Sequence, residues 1–161
     1  LGALSKSSID YFLLPRFRKE DEFYEDGFYE SFLNSRITCW KDSRALYKNT
    51  SDLVLAADLV VSLASTVGVE GVYKRKRVID YLPDYFQERL KELNSDGKWN
   101  PAELGATKKA ETKEELAGAI NHLFTEEGFA ELKKNQEKFY PTLQAGDSAR
   151  KILDTLENSI K

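Results

Sequence analysis

Residues Ala57 to Ile79 read ADLVVSLASTVGVEGVYKRKRVI. Within them Leu59 to Leu63 (LVVSL) is a short β-branched apolar run. Its length and composition predict a buried strand of a parallel sheet, while periodicity alone leaves a helix open. Ala64-Ser65-Thr66 follows, placing small hydroxyl residues just ahead of a helical pattern. Ser65 suits the N-cap, because its oxygen can accept a bond from an otherwise unpaired backbone N–H. Val67, Val69-Glu70 and Val72-Tyr73 supply about two turns of helix. Gly68 and Gly71 cost that helix about 1 kcal/mol each but permit close approach of a backbone or ligand. Arg77 to Leu82 (RVIDYL) is the next expected strand. The unit is strand, loop, helix, strand, with a helix N-terminus at a strand's carboxyl end. In an open α/β sheet anionic ligands bind there.

Working outward, Ser8 to Leu14 (SIDYFLL) is the first strand candidate, ended by Pro15 and followed by the basic Arg16 and Arg18. Phe23 to Leu33 fits a short helix and Ile37 to Trp40 a second short strand. Asp42 or Ser43 can cap a helix whose Leu46, Leu53, Val54 and Ala57 share a face, with Asn49 to Asp52 as a potential break in it. Downstream, Pro83 to Leu93 reads as a helix with proline in its first turn, and Asn94 to Pro101 as a turn-rich loop. Leu104 to Ala110 is a terminal strand candidate. Thr112 to Glu115 (TKEE) is a capping box ahead of the apolar stripe Leu116, Ala119, Ile120, Leu123 and Phe124. Phe129, Leu132 and Phe139 mark another helix ended by Pro141. Gly146 to Ser148 opens a last one, carrying Ile152, Leu153, Leu156 and Ile160 on its apolar side and expected to pack back across the domain. Alternating short strands and helices predict an α/β fold on a parallel sheet with right-handed crossovers.

The Ala57 to Ile79 stretch resembles the nucleotide-sugar-binding half of GT-B glycosyltransferases, especially bacterial surface- and capsular-polysaccharide enzymes. Their pattern runs roughly aDvvis-x-ST-x-x-x-E-a-x-x-x-k-k-v-i, and Asp58, Ser65, Thr66, Glu70, Lys76 and Arg77 occupy the matching positions. Leu104 to Ala110 (LGATKKA) is similar to the family's terminal "lGavkv" strand. Two departures stand out. The family's "GKPV" turn has Arg75 for its glycine and lacks its proline, and the "RpHP" motif is replaced by Pro15-Arg16-Phe17-Arg18 without the histidine. The resemblance implies a three-layer Rossmann-like parallel sheet with helices on both faces, residues 1–161 forming one GT-B half.

It also implies a site. Ser65 and Thr66 would offer donors to a diphosphate, Gly68 would keep the helix start open, and Glu70 would accept bonds from ribose hydroxyls, which suits an acceptor-only carboxylate. Arg16 or Arg18 would meet the diphosphate. Without the resemblance, Ser65 is a simple cap, Glu70 an acid favoured near a helix N-terminus, and Arg16 and Arg18 a solvated turn opposite Glu20 to Glu22. Lys74 to Arg77 (KRKR) reads as a basic patch at a helix C-terminus. Trp40 could stack on a base or sit in the core. Cys39 reads as a small buried hydrophobe, and His122 as a surface or boundary residue. No nucleophile–base pair or paired-carboxylate signature appears, so the catalytic residues stay unassigned. In most inverting enzymes of this type the base comes from the N-terminal acceptor half.

Composition fits a soluble globular domain: 161 residues, 41% hydrophobic and 32% charged. The net charge of −3 calls for neither nucleic acid nor a membrane partner. One cysteine and one histidine exclude a disulfide framework and a Cys/His metal cluster. No transmembrane run or signal peptide is visible, and a cytoplasmic location is the default. No cofactor or metal is expected, only a nucleotide di- or monophosphate sugar as substrate. The chain has no Met and begins at Leu1, so either a trimmed chain or a piece of a longer protein is expected. The resemblance implies a two-half enzyme whose acceptor-binding half is missing, with peripheral membrane association of the full enzyme left open. Two rivals remain: a UDP-sugar 2-epimerase-like domain, and a non-catalytic Rossmann-like interaction module.

Overall fold

The computed structural model describes residues 11–13, 37–39, 49–93, 96–141, 150 and 152–156. Five strands and six helices carry labels in chain order. They are β1 (Tyr11–Leu13), β2 (Ile37–Cys39), α1 (Thr50–Ala56), β3 (Leu59–Ser62), α2 (Thr66–Tyr73), β4 (Arg77–Tyr81), α3 (Asp84–Leu93), α4 (Asn100–Glu103), β5 (Lys108–Ala110), α5 (Lys113–Leu123) and α6 (Glu126–Phe139). β1 and β2 pair in parallel, and β3, β4 and β5 form a second parallel sheet in that order.

β4 is the central strand of the larger sheet, and its alternation sets the layers. Val78 and Ile79 are both fully buried but face opposite ways. Val78 joins Val54 of α1, Val60 of β3, Val72 of α2 and Ala106. Ile79 joins Ala110 of β5, Leu116, Ala119, Ile120 and Leu123 of α5, and Leu132 of α6. The sheet is therefore covered by α1 and α2 on one face and by α5 and α6 on the other. Two-sided burial explains why RVIDY lacks the apolar–polar alternation of a half-exposed strand, whereas LVVS is buried on its α2 side and exposed at Val61 on the other. Each fully buried Val or Ile stabilises by roughly 1.5–3 kcal/mol, so the two clusters hold the layers together.

Helix ends follow local chemistry. Asn49 caps α1, its side chain accepting from the backbone N–H of Ser51 at 2.6 Å, while the expected caps Asp42 and Ser43 lie outside the described residues. The polar run Asn49 to Asp52 starts α1, and the part of the expected helix before it lies outside the described residues. Thr112 and Glu115 form the expected capping box on α5. Thr125 caps α6 by accepting from Gly128 N–H at 3.0 Å. The 94–101 stretch, expected as loop, contains the start of the one-turn α4, with Pro101 inside its first turn.

α2 ends unusually. Arg75 takes φ +54°, the left-handed conformation that glycine adopts most easily. Its N–H bonds to Val72 O at 3.0 Å, and Lys76 N–H bonds to Gly71 O at 2.9 Å. These two bonds form a complete Schellman turn with arginine at the glycine position.

The expected strand at Ser8 to Leu14 overlaps β1. The Phe23 to Leu33 helix, Trp40, Arg16, Arg18 and the Gly146 to Ser148 helix start lie outside the described residues. Residues 152–156 are helical, and Ile152, Leu153 and Leu156 are exposed.

Candidate functional site at the carboxyl edge of the sheet

β3 and β4 end side by side, with Ser62 in register with Asp80. Beyond Ser62 the chain turns at Ala64, which has φ +45°, and enters α2 through Ser65. Ser65 caps as expected: its Oγ accepts from Val67 N–H at 3.2 Å, and its carbonyl accepts from Gly68 N–H at 2.9 Å. Much of the first turn of α2 is thereby satisfied by Ser65 itself. Thr66 beside it is exposed.

Gly68 is buried, and it faces the sheet instead of the helix mouth. A Cβ there would stand 2.5 Å from Ser62 Oγ and 3.3 Å from Asp80 Oδ1. The expectation that Gly68 keeps the helix start open for a ligand is corrected on this point. The close approach is between α2 and two strand side chains. Gly71, one turn on, likewise lies against Val78 and Val60.

Asp80 is the residue that sequence reasoning missed. Its side chain is fully buried on the α2 face of β4. Ser62 Oγ donates to Oδ1 at 2.5 Å. Thr107 Oγ1 donates to Oδ2 at 2.7 Å, and Trp99 Nε1 donates to the same oxygen at 2.8 Å. The Ala64 backbone donates as well. Burial pushes the carboxyl above the usual carboxylate range, against the downward pull of these four bonds. With both oxygens occupied, Asp80 ties together the end of β3, the turn into α2, the approach to α4 and the approach to β5. A signal was present in RVIDYL: an acid two residues beyond Val78 shares its face and so points into the core. Trp99 and Thr107 carried no comparable signal.

Glu70 lies on α2 one turn past the cap and is half-buried. Ser51 Oγ of α1 donates to its Oε1, and Lys74 Nζ lies 3.2 Å from the same oxygen. Lys74 also donates to Ser51 Oγ at 2.6 Å. Ser51, ahead of burial and Lys74, sets the balance that holds this carboxyl below its usual value. Among the described residues Oε2 has no protein partner.

The KRKR run is not a free basic patch. Lys74 is engaged as above. Arg75 donates to Val72 O at 2.8 Å and Tyr140 O at 2.7 Å, and pairs with Glu137. Lys76 donates to Leu55 O at 2.6 Å. Arg77 donates to Leu123 O at 2.7 Å and lies between the rings of Phe124 and Phe129. Each cation fastens α2 or β4 to a neighbouring element. His122 is at the boundary, 3.8 Å from a Glu131 carboxylate oxygen. The Cys39 side chain lies outside the described residues.

Among the described residues no three His, Cys, Asp or Glu side chains group as metal ligands. No described helix is long and apolar enough to cross a membrane. Comparisons with family models, with curated proteins and with solved structures return no match to the chain.

Proposed function

We propose that the chain is the donor-nucleotide-sugar-binding domain of a GT-B-type glycosyltransferase acting in surface-polysaccharide synthesis. The observation that carries this reading is the α2 start at the carboxyl edge of a parallel sheet, with Glu70 one turn inside. Among the described residues no partner meets Glu70 Oε2, which is therefore placed to accept from two ribose hydroxyls. The exposed Thr66 hydroxyl and the positive end of α2 favour the phosphates. Ser51 and Lys74 hold Glu70 ionised and in place, which a hydroxyl-binding carboxylate needs. The leaving diphosphate is stabilised by the helix end and by basic side chains, Arg16 and Arg18 among them, and the catalytic base comes from a separate acceptor-binding half.

A second reading, a Rossmann-like interaction module that binds no nucleotide, draws on one observation. The cations Lys74 to Arg77 are all spent on internal contacts, so they contribute nothing to a phosphate.

Titration with UDP, CDP, CMP, GDP and ADP, followed by NMR, separates the two. One nucleotide is expected to shift the amides of Ser65 to Glu70, and Glu70→Ala to weaken its binding at least tenfold. Unchanged affinity in Glu70→Ala overturns the site. Failure of all five nucleotides at millimolar concentration favours the interaction module.

A further inference from the structure

Gln136 of α6 is fully buried, yet its side-chain oxygen Oε1 meets no donor among the described residues. A buried acceptor without a donor costs stability, and an apolar side chain of the same length avoids that cost. The other end of the amide accounts for its presence. Nε2 donates to Lys76 O at 3.0 Å and to Ala106 O at 3.1 Å. Lys76 immediately precedes β4, Ala106 lies just ahead of β5, and these two strands are neighbours. One NH₂ therefore spans the entries of two adjacent strands. Turning the amide over would set Oε1 against both carbonyls, acceptor against acceptor, so chemistry fixes its orientation.

Ala106 is followed by Thr107, and their backbone is held from two sides. Both N–H groups donate to Pro101 O of α4, at 2.9 and 3.2 Å. The Ala106 carbonyl is taken by α6 through Gln136. Threonine is β-branched and stiff at χ1, so its hydroxyl goes where the backbone aims it. Here it meets Asp80 Oδ2 at 2.7 Å, the oxygen that also accepts from Trp99 Nε1. Asp80 in turn holds Ser62 and the Ala64 N–H, where the chain turns into α2.

We propose that Gln136 is a positioning residue for the Asp80 network. By fixing the Ala106 carbonyl it aims Thr107, and so ties the seat of α6 to the start of α2. The inference stands whether or not that start binds a nucleotide.

The test is NMR on the intact chain. Gln136→Met keeps the length and the apolar stem and removes both donors. In the folded variant the signals of Thr107, the Trp99 indole N–H and the Ala64 amide are expected to move. The indole proton is expected to exchange about tenfold faster or more, through local opening of the network. Leu132→Ala opens a cavity on the same helix, against the cluster around Ile79, and lowers stability without touching Ala106. It is expected to leave the three signals in place. A Gln136→Met chain that is only less stable, with those signals unmoved, overturns the proposal. Equal displacement by Leu132→Ala does so too, because it reports a general loosening of α6. If Gln136→Met does not fold, Gln136→Asn, still an amide but one methylene shorter, takes its place with the same expectations.

Discussion

The Trp99 indole N–H and the Asp80 carboxylate meet at 2.8 Å, joining the approach to α4 to the central strand through a buried acceptor. Indole can only donate, so this bond has no substitute when either partner changes. Trp99→Phe keeps an aromatic side chain but removes the indole N–H together with part of the ring, and should cost at least about 2 kcal/mol, the value of a hydrogen bond to a charged group alone. Asp80→Asn should cost more. Its NH₂ must face one set of donors, and Ser62 or Thr107 can turn a hydroxyl to accept but the N–H groups of Trp99 and Ala64 cannot. Urea unfolding curves of the two variants check the order.

The same environment predicts a pH effect. Burial raises the Asp80 pKa above its ordinary 3.8, so the folded state holds the proton more tightly than the unfolded chain. The stabilisation gained from that proton is fully present below the unfolded value and is lost as pH rises through the folded value. Carbon-detected titration of the carboxyl should give a midpoint above 3.8. Thr107→Val should raise it further, because a bond that favours the ionised form is gone.

The layers were legible because two runs, LVVS and RVIDY, are apolar on both faces and flank a small capped helix. The Thr112 to Glu115 box was legible because its two bonds are local in sequence. The KRKR run was misread, since its partners Leu55, Leu123, Glu137 and Tyr140 lie 21 to 65 residues away. Gly68 was assigned to a ligand for the same reason: nothing local shows that Ser62 and Asp80 close in on it. Long-range tertiary contacts decide such polar residues, whereas local pattern decides the elements.

Ser51 and Glu70 set a second pH dependence with the opposite sign. The Ser51 hydroxyl is the main cause of the lowered Glu70 pKa, with Lys74 adding to it against the effect of burial. An acid with a lowered folded pKa contributes stability above its unfolded value, here 4.5, and loses it as pH falls through the folded value. Ser51→Ala should therefore move the Glu70 midpoint up towards 4.5 and reduce the acid-dependent part of the stability. NMR titration of the Glu70 carboxyl follows the first effect, and thermal melts between neutral and acid pH follow the second.

Arg75 offers a clean comparison of backbone cost and side-chain gain. Its left-handed φ of +54° disfavours any residue with a Cβ by roughly 1 kcal/mol. The guanidinium offsets that through Val72 O, Tyr140 O and Glu137. Arg75→Ala loses the bonds and keeps the backbone cost, whereas Arg75→Gly loses the bonds and the cost together. Arg75→Gly should therefore be the more stable variant by about 1 kcal/mol, with the parent chain above both. Equal stability of the two variants would mean that the backbone at this turn relaxes away from the left-handed region.

Gly68→Ala tests the contact between α2 and the Asp80 network. Helix propensity alone favours alanine by about 1 kcal/mol in a helix interior. Sterically the change is adverse, because the new methyl would lie 2.5 Å from Ser62 Oγ and 3.3 Å from Asp80 Oδ1. Ser62 cannot swing clear without giving up its own 2.5 Å bond to that carboxylate. Overpacking of this kind costs about 1–3 kcal/mol, so the net result should be destabilising by up to about 2 kcal/mol. Pairing it with Ser62→Gly removes the clashing hydroxyl at the expense of one donor to Asp80. The double variant should regain part of the loss, and this non-additivity, measured by urea unfolding of all four chains, reports the clash directly.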